Sequence, residues 1–403
     1  MSDPSRVRVT GPLASYATGF RAELESQGYR RNAVGDQLHV FAHVSRWLEE
    51  RNLGAEDLTR ERSLEFLAAR RRAGYVLWLS EKGVAPLLAY LRKIGAAPVP
   101  VPPAPATPGE RLLAEFRSYL LDERGLAPGT VVSDVHMARL FLEHQSDHDQ
   151  LLASLMPAQI VAFVKEQCEQ RSAAYVTAGL RAFLRFCHVT GRTARPLAGA
   201  VPKVASWRLA GLPKAVDTET VRTLLRSCDR RTTYGRRDFA VLMLLSRLGL
   251  RSGEVTRLCL EDIDWRAGEL VVSGKGSKFE RLPLPADVGE AVAGWLRRGR
   301  PDCAARQVIT RVRAPHGALS AGGVYAIVHA ACVRAGVPHV HPHRLRHTVA
   351  TDLLRSGASL TEIGQVLRHQ SVLTTAIYAK VDRDGLRQLA SPWPAIASRP
   401  VQP

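Results

Sequence analysis

The chain is short of the features that mark secreted and membrane proteins. Its six cysteines are widely separated, with no CxxC pair and no spacing typical of a disulfide framework. The N-terminal MSDPSRVRVTG has no apolar core of the kind that a signal peptide needs. The longest apolar stretch, FAVLMLLSRLGL, is interrupted before it could span a bilayer. We therefore expect reduced thiols, a cytoplasmic location and no membrane partner.

Acidic residues are outnumbered by basic ones. Asp and Glu number 38 against 56 Lys and Arg, which gives a formal charge of +18. This excess favours a polyanion such as nucleic acid as the partner, the alternative being a surplus that only keeps the surface soluble. The length of 403 residues suggests two or three domains, and hydrophobic residues at 45% suffice for folded cores. The sequence also lacks a GxxxxGK[ST] phosphate loop and a paired-carboxylate metal site, so we expect no cofactor and no metal.

Proline divides the chain into domains. Residues 96–108, AAPVPVPPAPATP, contain six prolines and predict an extended spacer. A looser break covers residues 196–216, where prolines and glycines interrupt any helical pattern. Three domains result, followed by an irregular tail. They are residues 1–95, 109–195 and 217–390, with the tail at 391–403.

The first two domains resemble each other. The string FRAELESQGY in the first is similar to FRSYLLDERGL in the second, and Leu58 and Phe66 correspond to Leu155 and Phe163. Apolar residues at helical spacing predict about four short helices in each, hence a tandem pair of helical modules. The alternative is chance similarity between amphipathic helices.

A basic run lies near the end of the first module. Residues 65–74, EFLAARRRAG, carry three consecutive arginines that could lie along DNA phosphates. The alternative is that these arginines only form the solvent-exposed end of a helix. We therefore treat residues 1–95 as an additional module whose DNA binding is a hypothesis.

The third domain mixes helices with a small sheet. DTETVRTLLRSC has a capped start and an amphipathic repeat, RRDFAVLMLLSRLGL reads as a buried helix, and SGEVTRLCL as another. ELVVSG and ERLPLP predict two β-strands joined by the turn GKGSKF. The predicted fold class is mainly α with a small antiparallel β-sheet.

Polar residues suited to phosphate chemistry are spread along this third domain. In HPHRLRHTVATDLL an imidazole and a guanidinium three residues apart lie on one face of a helix and could address one anion together. Other candidates come from LGLRSGEVTRL, the GKG turn and LRHQSVLTTAIY. The full set is Arg251, Lys275, His343, Arg346, His369 and Tyr378.

The order and spacing of these residues resemble those of the tyrosine recombinase (phage integrase) family. Four sequence motifs also resemble that family, namely GLRSGEV, SGKGSKFERLPLP, PHRLRHTVAT and HQSVLTTAIY. The resemblance covers about residues 212–389, and the preceding module resembles the helical core-binding domain of that family with weaker motifs. It implies a catalytic domain that cleaves DNA through a 3′-phosphotyrosine link at Tyr378, without ATP or metal.

The resemblance also implies a role for each residue. Arg251 and Arg346 would grip the non-bridging oxygens of the phosphate, and His369 would donate a hydrogen bond to it. By the same analogy, His343 is the proton acceptor for Tyr378. Lys275 on the turn is the candidate general acid for the leaving 5′ oxygen. Glu254, three residues after Arg251, is interpreted as a carboxylate that orients that arginine.

Three alternatives stay open for these positions. Lys278 could replace Lys275, and a zinc ion could be held by imidazoles of HVHPHRLRH. The family usually has glycine where this chain has Arg368, so Arg368 either strains the backbone and shifts the next histidine or adds a phosphate contact. The zinc alternative involves His339, His341, His343 and His347.

At the level of function, the resemblance implies strand exchange at a specific double-stranded DNA site by a homotetramer, with accessory recombination proteins as possible partners and the nucleoid as the location. Integration, excision, transposition and dimer resolution all remain open. One alternative is a type IB topoisomerase, which reseals the same strand. Another is a non-catalytic DNA-binding subunit of a recombination complex.

Overall fold

The computed structural model describes residues 7–100, 105–144, 152, 154–203, 215–274, 279–368 and 375–381. The chain divides into two compact units, one formed by residues 1–100 together with 209–403 and the other by residues 101–208. Both are mainly helical, and the described strands form a three-stranded antiparallel sheet, which confirms the predicted fold class. Within the described ranges, no helix combines the length and apolar character that crossing a membrane requires.

The N-terminal module of the first unit has four α-helices in its described residues. They are α1 (Ala17–Ser26), α2 (Arg31–Glu49), α3 (Arg60–Arg72) and α4 (Glu81–Lys93). The hydroxyl of Thr59 accepts a hydrogen bond from the Arg62 backbone N–H and so fixes the start of α3. The Phe20 and Phe41 rings stack 4.8 Å apart in a core built from residues 13–97.

The second unit also has four α-helices in its described residues. They are α5 (Pro108–Ser118), α6 (Pro128–Glu143), α7 (Pro157–Gln170) and α8 (Ala173–Val189). Helix α5 begins at Pro108, the last residue of the predicted spacer, because Thr107 and Glu110 form a capping box that starts the helix there. The core of this unit comes from residues 112–201.

The residues that correspond between the two similar sequences lie on corresponding helices of the two modules. Phe20 lies in α1 and Phe116 in α5, and both rings are fully buried. Phe66 in α3 and Phe163 in α7 are likewise buried in their separate cores. The similar strings therefore mark the same kind of position in each module.

The rest of the first unit contains the sheet and the remaining helices. Strands β2 (Glu269–Ser273) and β3 (Phe279–Pro283) are the two predicted strands, and Val271 pairs with Arg281. A third strand, β1 (Ile263–Asp264), was not predicted. The helices are α9 (Thr218–Arg226), α10 (Thr233–Ser246), α11 (Ser252–Arg257), α12 (Ala286–Arg298), α13 (Ala321–Ala335), α14 (Pro342–Arg355) and α15 (Leu360–Val366).

A turn at Gly249 joins the buried helix α10 to α11. Gly249 has φ +59°, and a Cβ built there would lie 2.7 Å from the Leu367 side chain. Glycine meets both demands, since it tolerates positive φ and has no Cβ. The Arg346 guanidinium of α14 donates to the Gly249 carbonyl, so the turn itself lies against that helix, where the candidate site lies.

Candidate active site

Arg251 stands immediately before α11 and is held by Glu254. The Glu254 carboxylate accepts hydrogen bonds from the Arg251 backbone N–H at 2.8 Å and from its Nη1 at 2.6 Å. Burial alone would raise the pKa of Glu254, but the Arg251 hydrogen bonds and the charges of Arg368 and Arg251 outweigh burial and lower that pKa. The Glu254 side chain is 2% exposed and that of Arg251 is 39% exposed. An ionised carboxylate therefore orients a guanidinium that is open to solvent.

Arg346, on α14, is a buried guanidinium. Its Nη1 donates to the Gly249 carbonyl at 2.5 Å, and its Nη2 donates to the Leu367 carbonyl. Burial, together with the charges of Arg251 and Arg368, lowers the pKa of Arg346 to about 9. It therefore remains protonated at neutral pH, with its position fixed by two turns of the chain.

Helix α14 presents two imidazoles on one face. His343 and His347 are four residues apart, and their rings meet edge to face with centroids 4.7 Å apart. Desolvation by the surrounding protein atoms, followed by the charges of Arg346 and Arg251, lowers the pKa of His343, although its side chain remains exposed. Desolvation lowers the pKa of His347 to about 4, with His343 and Arg346 adding to the effect. Both rings are therefore neutral at neutral pH.

Tyr378 is buried in the short 3-10 helix Ala376–Val381. Its hydroxyl oxygen lies 2.7 Å from the Nδ1 atom of His347. Burial raises the pKa of Tyr378 to about 12, against the opposing charge of Arg346. The ring packs in a small apolar cluster with Val349, Ala350, Ile363 and Leu367.

Arg368 adds a third guanidinium to the site. Its Nη2 donates to the second carboxylate oxygen of Glu254 at 3.0 Å, and both side chains are 2% exposed. Its carbonyl accepts a hydrogen bond from Arg251 Nη2 at 3.4 Å. Within the described part of the site, Arg251, Arg346 and Arg368 face one carboxylate, so the local charge is positive and suits a phosphodiester.

The structure brings five of the predicted residues into this cluster. They are Arg251, Glu254, His343, Arg346 and Tyr378. Lys275, Lys278 and His369 lie outside the described residues. Sequence reasoning missed the contact of His347 with Tyr378, for which the only signal was its place four residues after His343. It also missed the ion pair of Arg368 with Glu254, although Arg368 stood out as unusual at its position.

The four histidines of the zinc alternative, all of them among the described residues, divide between two places. His339 contacts Tyr325 and His329, with its Nε2 2.9 Å from the tyrosine hydroxyl and its Nδ1 3.1 Å from that of His329. His343 and His347 instead face the Tyr378 site. No group of three or more His, Cys, Asp or Glu side chains that could hold a metal ion occurs in the described ranges.

Comparison with known proteins shows which family this chain resembles. Residues 214–384 match the phage integrase family. The integrase/recombinase y4rA of Sinorhizobium fredii is 40% identical over 396 residues, which is 96% of this chain and 96% of that protein. Tyrosine recombinase XerA of Thermococcus kodakarensis is 31% identical over 278 residues, covering 69% of this chain and 93% of that protein.

Solved structures agree with this fold. XerH site-specific recombinase bound to a palindromic difH substrate matches with a TM-score of 0.57 and 18% identity, over 81% of this chain and 93% of that chain. A lambda integrase fragment, solved as a dimer on a core site, matches with a TM-score of 0.53 and 17% identity over 72% and 99% of the two chains. The chain belongs to the phage integrase family of tyrosine recombinases, enzymes that cleave and rejoin DNA.

Proposed function

We propose that this chain is a site-specific recombinase that attacks DNA with Tyr378, forming a 3′-phosphotyrosine link and releasing a 5′ hydroxyl. The observation that carries the proposal is the Tyr378 hydroxyl, held in hydrogen-bond contact with α14 in the same cluster as the Arg251 and Arg346 guanidiniums. In this proposal the two arginines neutralise the charge that develops on the non-bridging oxygens, so no metal or ATP is needed. Glu254 keeps Arg251 aimed for this contact.

The tyrosine needs a proton acceptor. With a pKa of about 12, only roughly one Tyr378 in 10⁵ is ionised at neutral pH. By family analogy His343 accepts this proton, Lys275 gives one to the leaving 5′ oxygen, and His369 donates a hydrogen bond to the phosphate. Because the phosphotyrosine link conserves bond energy, attack by a 5′ hydroxyl reverses the step and rejoins the strand.

Capture of covalent DNA adducts tests the nucleophile. Cells expressing the parent chain or Tyr378→Phe would be lysed in denaturant, and protein-linked DNA would be purified and sequenced. The parent should enrich discrete sites and the phenylalanine variant should enrich none, because it lacks the attacking oxygen. Equal recovery from both proteins, or no adduct with the parent, would contradict the proposal and favour a non-catalytic DNA-binding subunit.

We further propose strand exchange between two duplexes by a homotetramer on the nucleoid, with accessory recombination proteins as additional partners. Two duplexes that carry the captured site and different end labels would be incubated with the parent. A recombinant product carrying both labels is expected, with a protein mass on DNA that corresponds to four chains. Relaxation of supercoiled DNA without exchange would instead indicate the topoisomerase alternative.

The N-terminal module is proposed to make a second DNA contact through residues 75–78, the apolar loop. Val76 and Leu77 in this loop are 84% and 68% exposed. Arg70 Nη2 donates to the Leu77 carbonyl at 3.2 Å, and Arg71 Nη2 donates to the Leu79 carbonyl at 2.7 Å. Two of the three consecutive arginines therefore hold the backbone in and beside the apolar loop, rather than lying free along phosphates.

The chemistry of this loop fits DNA. Arg70 lies over the Tyr75 ring at 4.1 Å and also donates to the Leu77 carbonyl, so one side chain contacts the loop on both sides of Val76. Architectural proteins insert apolar side chains such as leucine between base steps of the minor groove, and they contact the groove with arginines. We propose that Val76 and Leu77 form such a wedge.

A further inference from the structure

A groove in the first unit lies apart from the candidate active site. The N-terminal module forms one wall and the third domain forms the other, and the volume between them is about 1000 Å³. Tyr234 lies in the first turn of α10, whereas Arg251 follows the end of that helix, so about 20 Å separates them. We call this feature the aromatic groove, and its lining includes Tyr29, Arg30, Trp78, Tyr234, Arg313 and His316.

The two walls of the aromatic groove meet at Gly28. The His316 backbone N–H donates to the Gln27 carbonyl at 2.9 Å. Gly28 has φ +81°, and a Cβ built there would overlap with the His316 ring. Glycine permits both this backbone conformation and this close approach. Because this contact fixes the distance between the walls, the groove is formed before any ligand binds.

Two aromatic rings from opposite walls are partly open to solvent. Trp78 is 37% exposed and Tyr234 is 45% exposed. The Trp78 ring packs against the start of α4, where a Cβ built at Gly83 would lie 3.2 Å from it. The Arg237 guanidinium lies over the Tyr234 ring, 5.4 Å from its centroid. Each ring is held by a neighbour, so a planar ligand can stack on it with little loss of conformational entropy.

Basic side chains accompany these rings. Arg30 and Arg313 are exposed, and no Asp or Glu is among the described residues that line the aromatic groove. Burial raises the pKa of Tyr29 against the charge of Arg311, so the phenol is neutral at neutral pH and a third guanidinium acts on it. Arginine suits phosphate in particular, since its planar fork donates two hydrogen bonds to one group. The lining therefore fits a ligand that is both planar and anionic.

We propose that the aromatic groove binds unpaired bases of single-stranded DNA, with the bases stacked on Trp78 and Tyr234 and the phosphates on Arg30 and Arg313. Aromatic faces in a basic groove are the general means by which proteins hold single strands without reading their sequence. Compact organic ligands occupy sites of about 300–1,000 Å³, so a base with its sugar and phosphate fits this volume.

Unpaired rather than paired bases suit the aromatic groove. In a duplex the faces of each base are covered by its neighbours, and only an extruded or single-stranded base can stack on a side chain. This inference rests on the proposed function, since it takes DNA as the partner. Strand exchange supplies the ligand, because a cleaved strand that leaves one duplex to join another carries unpaired bases.

Binding of a fluorescent oligothymidylate of about eight nucleotides to the full-length protein tests the inference. Tyr234→Ala should weaken binding by about 5- to 100-fold because one stacking ring is lost. Tyr234→Phe keeps the ring and should bind like the parent. Trp265→Ala, at a tryptophan that is 48% exposed outside the described lining, is the matched control and should also bind like the parent. Equal affinities of Tyr234→Ala and the parent would overturn the inference.

Two further measurements identify the form of DNA that is bound. The slope of log affinity against log salt concentration should fall by about 0.7 in Arg313→Gln, the value for one phosphate of a single strand. An unchanged slope would contradict the phosphate contact. The Tyr234→Ala defect should be absent on a blunt duplex of the same length. An equal defect on the duplex would mean that the groove contacts paired DNA, and would overturn the inference.

Photochemical cross-linking makes the test independent of how the variants fold. The parent would be irradiated with an oligonucleotide that carries iodouracil, and the cross-linked peptides would be identified by mass spectrometry. We expect cross-links at Tyr29, Trp78 or Tyr234, and cross-links confined to other residues would overturn the inference. Failure of this inference leaves the Tyr378-dependent adduct in cells intact. Failure of the proposed function removes that adduct and leaves oligonucleotide binding measurable.

Discussion

Arg368 occupies a backbone conformation that costs an L-amino acid free energy, and yet its side chain is buried. Its φ is +55°, in the left-handed region that favours glycine. Its guanidinium is paired with Glu254, which also holds Arg251. The family resemblance identified this position as one where glycine is usual, and a positive φ was therefore expected to strain an arginine there. The structure adds the ion pair that offsets the strain.

Replacing Arg368 with glycine should destabilise the protein. Breaking a buried ion pair costs about 3–5 kcal/mol, relief of left-handed strain returns about 1–2 kcal/mol, and Arg251 still balances part of the Glu254 charge. We expect the free energy of unfolding to fall by about 1–2 kcal/mol, measured by urea titration. A double-mutant cycle with Glu254→Gln should show coupling between the two sites. A gain in stability would mean that the backbone strain costs more free energy than the ion pair contributes.

Residue identities at the site were easier to predict than contacts. The resemblance to the tyrosine recombinase family, carried by order and spacing along the chain, singled out Arg251, Arg346 and Tyr378, and phosphate chemistry explains why guanidiniums and a nucleophile belong together. Helical spacing also placed His343 and His347 on one face of α14. It could not decide which ring meets Tyr378, since that depends on how a segment 31 residues further along the chain packs against the helix.

At the scale of elements, segments with a clear apolar pattern were predicted, and a two-residue strand was not. The buried helix α10 and the strands β2 and β3 follow from apolar patterning. Strand β1 has two residues, too few to show alternation, and exists because Ile263 pairs with Leu270. Tertiary pairing, rather than local preference, defines such an element.

The apolar loop gives a prediction at this scale. Changing Val76 and Leu77 together to serine should leave the free energy of unfolding within about 0.5 kcal/mol, since the side chains are exposed. Affinity for duplex DNA should fall by about tenfold or more, because two apolar side chains lose their burial between bases. Fluorescence anisotropy measures the affinity, and Val99→Ser, at a valine that is 68% exposed outside the loop, is the matched control. Unchanged binding would remove the wedge from the proposal.

At the scale of the whole molecule, the prolines predicted where the chain is divided into segments. The structure shows which of these segments belong to the same compact unit. Residues 101–208 form a unit by themselves, whereas residues 1–100 belong with 209–403. The sequence could suggest where the chain is interrupted, because proline and glycine act locally. It could not show that the first module and the third belong to one unit, where the His316 backbone N–H donates to the Gln27 carbonyl at 2.9 Å.

The unit of residues 101–208 should fold when produced alone. Its core is drawn entirely from residues 112–201, so excision removes no member of that core. We expect a cooperative thermal transition by circular dichroism. In the same fragment Phe116→Ala, which empties a fully buried site, should cost about 3–5 kcal/mol and lower the melting temperature. A fragment that melts without cooperativity would show that its stability depends on the rest of the chain.

The packing of Tyr378 has a consequence for timing. Its ring belongs to a small cluster with Val349, Ala350, Ile363 and Leu367, separate from the large core around α10. A segment whose apolar anchor is a cluster of its own can open by a local fluctuation that leaves the remaining structure folded. In the proposed reaction, the population of that locally opened state sets an upper limit on how often the buried tyrosine can reach a phosphate. In this view, the rate at which cleavage begins is governed by the stability of a minor cluster as much as by the acidity of the hydroxyl.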